Sequence, residues 1–217
     1  MQDIPTTPGI YEQVLRPGSR RYTIAIPDGY TEDQPIPLII ALHWGGPVTR
    51  YIGKWYLLGV VAPALGELGA IIAAPDCTDE HWANLNSEEV VIDLLDYITE
   101  SYNIDSRRVL LTGYSMGGIG TWILAARHQE RFSAVLIVSA KPPTDVVGVR
   151  WNIPLYVIHS RRDEIFPLGD TETTVNRLRE KGVAVKLDIV EGSTHFQTEQ
   201  FVEPMQAAIP WISDHWI

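Results

Sequence analysis

The sequence predicts an α/β fold, a mostly parallel sheet flanked by helices, formed as one domain over residues 1–217. Three observations predict it. Short, nearly continuous apolar runs recur along the chain, as strands covered on both faces require. Segments with helical spacing separate those runs, so strand and helix alternate. The 217 residues, 45% hydrophobic and 20% charged, suffice for one sizeable core, and no repeat, low-complexity tract or long Pro/Gly/Ser-rich linker divides them.

Taken in order, residues 11–15 read as a first strand, Pro17-Gly18 supplies a turn, and residues 21–27 (RYTIAIP) alternate like a half-buried strand. The chain is therefore expected to open with a hairpin. The apolar runs follow at 38–42 (LIIAL), 70–74 (AIIAA), 109–112 (VLLT), 134–139 (AVLIVS), 155–159 (LYVIH) and 183–190 (VAVKLDIV). Helices are expected over 54–68, 87–102, 118–128, 171–181 and 199–212. The second of these carries the fullest signature. Ser87 reads as its capping residue, Glu88 and Glu89 give an acidic first turn, and Val91, Leu94, Leu95 and Ile98 recur at helical spacing.

Charge removes several function classes. Seventeen basic against twenty-seven acidic residues give a net charge of -10, which repels phosphate backbones and anionic membrane surfaces. Neither nucleic acid nor membrane is expected as a partner, and no stretch reaches the ~18 apolar residues of a membrane span. The single Cys77 has no partner for an intramolecular disulfide or a metal site. The first thirteen residues show neither a basic patch nor an apolar run, so a cytoplasmic protein is expected, or a secreted one if a leader has been removed. Oligomeric state is left open.

In such sheets ligands bind at the carboxyl ends of the strands, so chemistry is sought there. Gly113-Tyr114-Ser115-Met116-Gly117 fits G-x-S-x-G between the strand-like VLLT and the helix-like GIGTWILAARH. A strand that turns at once into a helix strains its corner residue, and glycines two positions either side relieve the crowding. Ser115 is thereby lifted above the sheet edge as a nucleophile. Met116 opens the helix, which aims its backbone N–H at a developing oxyanion.

Glycine-rich turns that contain serine also serve as ordinary connections, so the partners decide. A serine hydroxyl needs a base, and the base an orienting carboxylate, in the chain order Ser, Asp/Glu, His. Asp163 follows the strand LYVIH, with Glu164 its nearest competitor, and His195 follows the last strand. The other histidines are worse placed: His81 and His128 lie before or just after the serine, His159 ends a strand and His215 sits at the terminus. A second oxyanion donor is expected in Leu42-His43-Trp44-Gly45-Gly46, with Gly45 first choice and Trp44 second, and His43 orienting that loop by hydrogen bonding. Trp82, Tyr114 and Phe166 are candidate substrate-binding walls, and Phe196 is expected to pack under its loop. Asp76, Asp79 and Glu80 lack a plausible fourth ligand, so no metal site is expected.

With LHWGG, GYSMGG, IHSRRDEIFP and GSTHF in place, the chain resembles the α/β-hydrolase superfamily over nearly its whole length. Within it the likeness is to the small lidless esterases, alongside phospholipase/carboxylesterases, dienelactone-hydrolase-like proteins and the catalytic domains of feruloyl and polyhydroxybutyrate-depolymerase-type esterases. IHSRRDEIFP resembles the family's H-G-x-x-D-x-x-x-P loop, with Asp163 at the acid and Pro167 at the proline. Ser160 stands where glycine is usual, and Trp44 where His-Gly is the commoner start. Dienelactone hydrolases proper use a cysteine nucleophile, whereas this chain offers serine. Residues 141–152 are too short for a helical lid. The resemblance implies a cofactor-free serine carboxylesterase acting on short- to medium-chain, small-molecule esters through an acyl-enzyme. A feruloyl-type esterase, thioesterase or peptidase with the same triad, or a non-catalytic binding module, is the alternative.

Overall fold

The computed structural model describes residues 4–15, 20–47 and 49–216. Eight strands form one sheet: β1 (Gly9–Leu15), β2 (Arg20–Ile26), β3 (Ile36–Leu42), β4 (Ile71–Pro75), β5 (Ile104–Tyr114), β6 (Ala134–Val138), β7 (Leu155–Ser160) and β8 (Val185–Val190), in the spatial order β1-β2-β4-β3-β5-β6-β7-β8. The opening hairpin pairs antiparallel, and β2 pairs antiparallel with β4; β3 to β8 are parallel throughout. The expected turn at Pro17-Gly18 lies outside the described residues.

All seven residues of β3 are buried. Their period of two sends Leu38, Ile40 and Leu42 to one face of the sheet and Ile39 and Ala41 to the other. The first face is covered by α3 (Leu85–Ser101), α4 (Met116–Arg127) and α5 (Leu168–Glu180), through side chains such as Leu94, Trp122 and Val175. The opposite face is covered by α1 (Gly53–Tyr56), α2 (Ala62–Leu65), α6 (Val202–Gln206) and α7 (Ile209–His215), through Tyr56, Met205 and Ile212 among others.

Several boundaries differ from expectation for local reasons. The single helix over 54–68 is instead α1, a π-helical turn at Leu57–Val61, α2 and a 3-10 turn at Gly66–Leu68. Pro63 has no N–H to give to the preceding turn, and the coil widens just before it, with the Ala62 N–H reaching back to the Leu57 carbonyl. The terminal helix is likewise broken, with Pro210 in the first turn of α7. For α3 the cap is Asn84, whose side chain accepts from the Ser87 N–H at 2.8 Å; Ser87 itself is buried. α4 begins two residues earlier than the expected 118, directly after Ser115.

Strand order fixes where a ligand fits. From β3 the chain moves to one side to make β4, then crosses back through α3 to place β5 on the other side of β3. The connections therefore diverge at the carboxyl ends of β3 and β5 and leave a crevice there.

Candidate active site

β5 ends at Tyr114, paired with Val138 of β6, and the next residue turns straight into α4. Ser115 is that corner, at φ 56° and ψ -118°, a region costly for a residue with a side chain. The surroundings hold it: its N–H donates to the Val138 carbonyl at 3.0 Å, and its carbonyl accepts from the Ile119 N–H at 3.0 Å. The flanking glycines are required by close approach. A Cβ on Gly117 would lie 1.9 Å from the Leu42 carbonyl oxygen, and one on Gly113 would lie 2.3 Å from that of Gly117. Only glycine lets the first turn of α4 press against β3.

The β7/β8 register sets Ser160 opposite Val190, so the loops that follow leave the sheet side by side. One carries Asp163 and the other His195. Ser115 Oγ lies 2.7 Å from His195 Nε2, and His195 Nδ1 lies 2.8 Å from Asp163 Oδ2. A carboxylate only accepts, so Nδ1 carries the proton and Nε2 is free to accept from the serine hydroxyl. Asp163 and His195 are both buried. Asp163 Oδ1 accepts the N–H groups of Ile165 at 3.0 Å and Phe166 at 2.7 Å. Burial alone would raise this carboxyl; hydrogen bonds from the His195 ring and from Phe166 and Ile165 outweigh it and hold it below the ordinary aspartate value.

The competing carboxylate has a different partner. Glu164 Oε2 accepts the backbone N–H of His195 at 2.9 Å, while the ring goes to Asp163. Ser160, at the unusual position, donates its hydroxyl to the Ser193 carbonyl and accepts the Arg162 N–H at 3.1 Å, tying the acid loop to the histidine loop. His159 is fully buried; its Nε2–H donates to the Phe166 carbonyl at 2.7 Å, and its Nδ1 accepts from Thr171 Oγ1 at 3.1 Å. Burial lowers its basicity.

Across the crevice, His43 is buried between two main-chain partners. Nε2 accepts the Cys77 N–H at 3.0 Å, and Nδ1–H donates to the Trp44 carbonyl at 2.6 Å. Burial drives its pKa down to about 4, so the ring is neutral, orients the loop and does not serve as a base. A trans peptide holds its C=O and N–H on opposite sides. With the Trp44 carbonyl drawn inward to His43, the Gly45 N–H points away from His43. Met116 Sδ lies 3.4 Å from where a Cβ on Gly45 would sit, so this loop and the start of α4 adjoin. As the first helical residue, Met116 has no intrahelical acceptor for its N–H.

A cleft of about 250 Å³ opens on Ser115, lined by Trp44, Gly45, Tyr114, Ser115, His195, Phe196 and Thr198. A second hollow of about 260 Å³ borders the same loop at Gly46 and α4 at Met116, and is lined by Asp79 and Glu80 as well. Tyr114 is almost wholly buried beneath the first, where burial raises its phenol pKa. Phe166 meets the His195 ring edge-on at 5.3 Å.

Trp82 corrects an expectation: it is 1% exposed, donates Nε1–H to the His43 carbonyl at 2.9 Å and packs edge-on against that ring. It supports the loop from behind and offers no face to a substrate. Phe196 is the reverse case, 71% exposed at the mouth of the cleft where packing under the loop was expected. Thr198 was signalled by nothing in the sequence, since it follows the histidine loop in a stretch without a motif. Asp76 spends its carboxylate on the N–H groups of Tyr51 at 2.6 Å and Gly53 at 3.2 Å, holding the start of α1.

The profile of the Dienelactone hydrolase family matches residues 22–208. Feruloyl esterase C of Emericella nidulans is 32% identical over 177 residues, which cover 78% of this chain and 64% of that protein. The chain thus spans less than two thirds of the length of this relative. Among solved structures, one described as a thermostable esterase superposes with a TM-score of 0.76 at 23% identity, over 94% of this chain and 62% of its own. Another, a ferulic acid esterase, gives 0.78 at 17% identity, over 97% and 98%. At these identities the structural likeness speaks to the fold.

Proposed function

This chain belongs to the dienelactone hydrolase family and has the α/β-hydrolase fold, and from that premise we propose that it is a serine carboxylesterase cleaving short- to medium-chain carboxylic esters through an acyl-enzyme. One observation carries the reading: the hydroxyl of Ser115, on a strained corner, lies 2.7 Å from an imidazole whose other nitrogen is 2.8 Å from a buried carboxylate. In this reading His195 Nε2 takes the proton of Ser115 as Oγ attacks the ester carbonyl. Asp163 keeps the proton on Nδ1 and stabilises the imidazolium. The carbonyl oxygen, now an anion, is received by the N–H groups of Met116 and Gly45, each worth roughly 2.7–4 kcal/mol where such donors have been removed. Gly45 rather than Trp44 is the donor of that loop, because the planar peptide pinned by His43 turns its N–H away from the ring. His195 then protonates the departing alkoxide, and water enters by the reverse sequence.

The substrate in this reading is a small-molecule ester held in the cleft beside Ser115, and the domain acts as one unit on the continuous sheet. A second reading, a feruloyl-type esterase, is favoured by the aromatic lining of Trp44, Tyr114 and Phe196 and by the name of the fungal relative. Among the described residues no helix is long and apolar enough to cross a membrane.

The test is Ser115→Ala assayed on p-nitrophenyl acetate and butyrate, with fluorophosphonate labelling of both proteins. The wild type should turn over and label, and the variant should do neither while keeping its fold. Turnover that survives in the variant removes the assignment. A panel of methyl ferulate, alkyl esters, a thioester and an anilide then separates the two readings from a thioesterase or peptidase.

A further inference from the structure

The loop between β8 and the helical turn at Thr198–Phe201 has neither ladder nor helix of its own, so its main-chain groups must find partners elsewhere. The Ser193 carbonyl accepts from Ser160, and the Thr194 N–H is taken by the Gln197 side chain at 2.9 Å. Both main-chain groups of His195 are held as well. Its N–H donates to Glu164 Oε2 at 2.9 Å, and its carbonyl accepts the Tyr114 hydroxyl at 2.6 Å. Each anchor is the sequence neighbour of a residue the imidazole must meet: Glu164 follows Asp163, and Tyr114 precedes Ser115.

We propose that Glu164 and Tyr114 are positioning residues that clamp the backbone of His195 from its two ends and thereby deliver the imidazole to Ser115. The inference rests on the reading of His195 as the base. It also accounts for two consecutive acids where the proton relay uses one. Asp163 meets the ring and Glu164 meets the main chain, so neither duplicates the other. A charged acceptor makes the stronger bond to an N–H, which suits a loop close to solvent. The Tyr114 ring is itself packed edge-on against Trp44 and Phe201, so its hydroxyl is a rigid anchor. A reacting group displaced by about 1 Å loses on the order of a hundredfold in rate, and the clamp guards against a displacement of that kind.

The experiment compares Glu164→Ala, Glu164→Gln and Tyr114→Phe for kcat and KM on p-nitrophenyl butyrate and for the rate of fluorophosphonate labelling, with Ser115→Ala as control. Glu164→Ala should lower kcat by about tenfold or more and leave KM within about twofold, because Glu164 itself does not line the substrate cleft. Glu164→Gln retains an oxygen that accepts the N–H and should recover kcat to within about threefold of wild type. Tyr114→Phe keeps the ring and should cost roughly three- to tenfold in kcat. Wild-type kcat in Glu164→Ala, or a Glu164→Gln as impaired as the alanine variant, overturns the clamp. If Ser115→Ala is inactive while Glu164→Ala is normal, the clamp falls and the active-site reading stands; an active Ser115→Ala overturns both.

Discussion

Asp163→Asn tests whether the acid sets the histidine tautomer or merely lies beside it. Asp163 Oδ1 holds the N–H groups of Ile165 and Phe166, and Oδ2 holds His195 Nδ1. Asparagine has one oxygen to divide between these duties. Turning its NH2 toward the two backbone donors would forfeit both bonds and set donors against a donor, a penalty on the order of 2–6 kcal/mol. The amide oxygen therefore stays on the loop and the NH2 points at Nδ1. Nδ1 must then accept, the proton moves to Nε2, and Ser115 Oγ faces a hydrogen instead of a lone pair. A tenfold population change corresponds to about 1.4 kcal/mol, so the competent tautomer falls to roughly one part in thirty at the lower bound and one in ten thousand or fewer at the upper. The equivalent change in a serine protease lowers kcat by about 10⁴, and a loss of about 10³–10⁴ is expected here. The assay is kcat and KM for p-nitrophenyl butyrate at pH 7 beside the fluorophosphonate labelling rate, with KM close to wild type. A variant that keeps more than about a tenth of wild-type kcat would show that the imidazole does not take its tautomer from Asp163.

Three further outcomes follow from packing and charge. Gly117→Ala places a methyl 1.9 Å from the Leu42 carbonyl oxygen; a cost of about 3 kcal/mol or more lowers Tm by roughly 6–12 °C, and a calorimetric scan at wild-type Tm would contradict it. Trp82→Phe loses the bond to the His43 carbonyl and some buried volume, about 1–3 kcal/mol in urea unfolding. KM should not move, because Trp82 lies behind the loop, and a several-fold rise in KM would return it to the cleft wall. His43, with its pKa lowered from 6.5 to about 4, binds its proton more weakly folded than unfolded. Stability on this account is full above about pH 6.5 and declines as pH falls toward 4, by on the order of 3 kcal/mol. Urea midpoints at pH 7 and pH 4.5 should show a smaller difference in His43→Gln than in wild type, and equal differences would reject the assignment.

Motifs with short-range physics were legible. The elbow around Ser115 announces itself because a strand-to-helix corner needs glycine within two residues on each side, and local sequence records that need. The parallel sheet was legible because residues buried on both faces leave no polar alternation, as in β3 and β6. Chain order after the strands indicated Asp163 and His195. What stayed hidden depends on who sits next to whom. Proline at 63 carries its own signal, yet the pattern of apolar residues does not show that the coil ahead of it widens into a π turn, with the Ala62 N–H on the Leu57 carbonyl. Trp82 and Phe196 exchanged their expected places because an aromatic side chain reads the same in sequence whether it faces core or solvent.

The sequence by itself determined the strand–helix alternation, the strained serine and the order of the partners, since each is set by interactions over a few residues. Tertiary structure alone decided that Glu164 meets the His195 backbone, that the Cys77 N–H seats the His43 ring, and that Trp82 braces a loop. Those outcomes turn on hydrogen bonds between residues 31 to 39 positions apart, as from His195 to Glu164 and from Trp82 to His43. Only the assembled sheet, with Ser160 set opposite Val190 and β3 beside β5, brings the two ends of each such bond within reach.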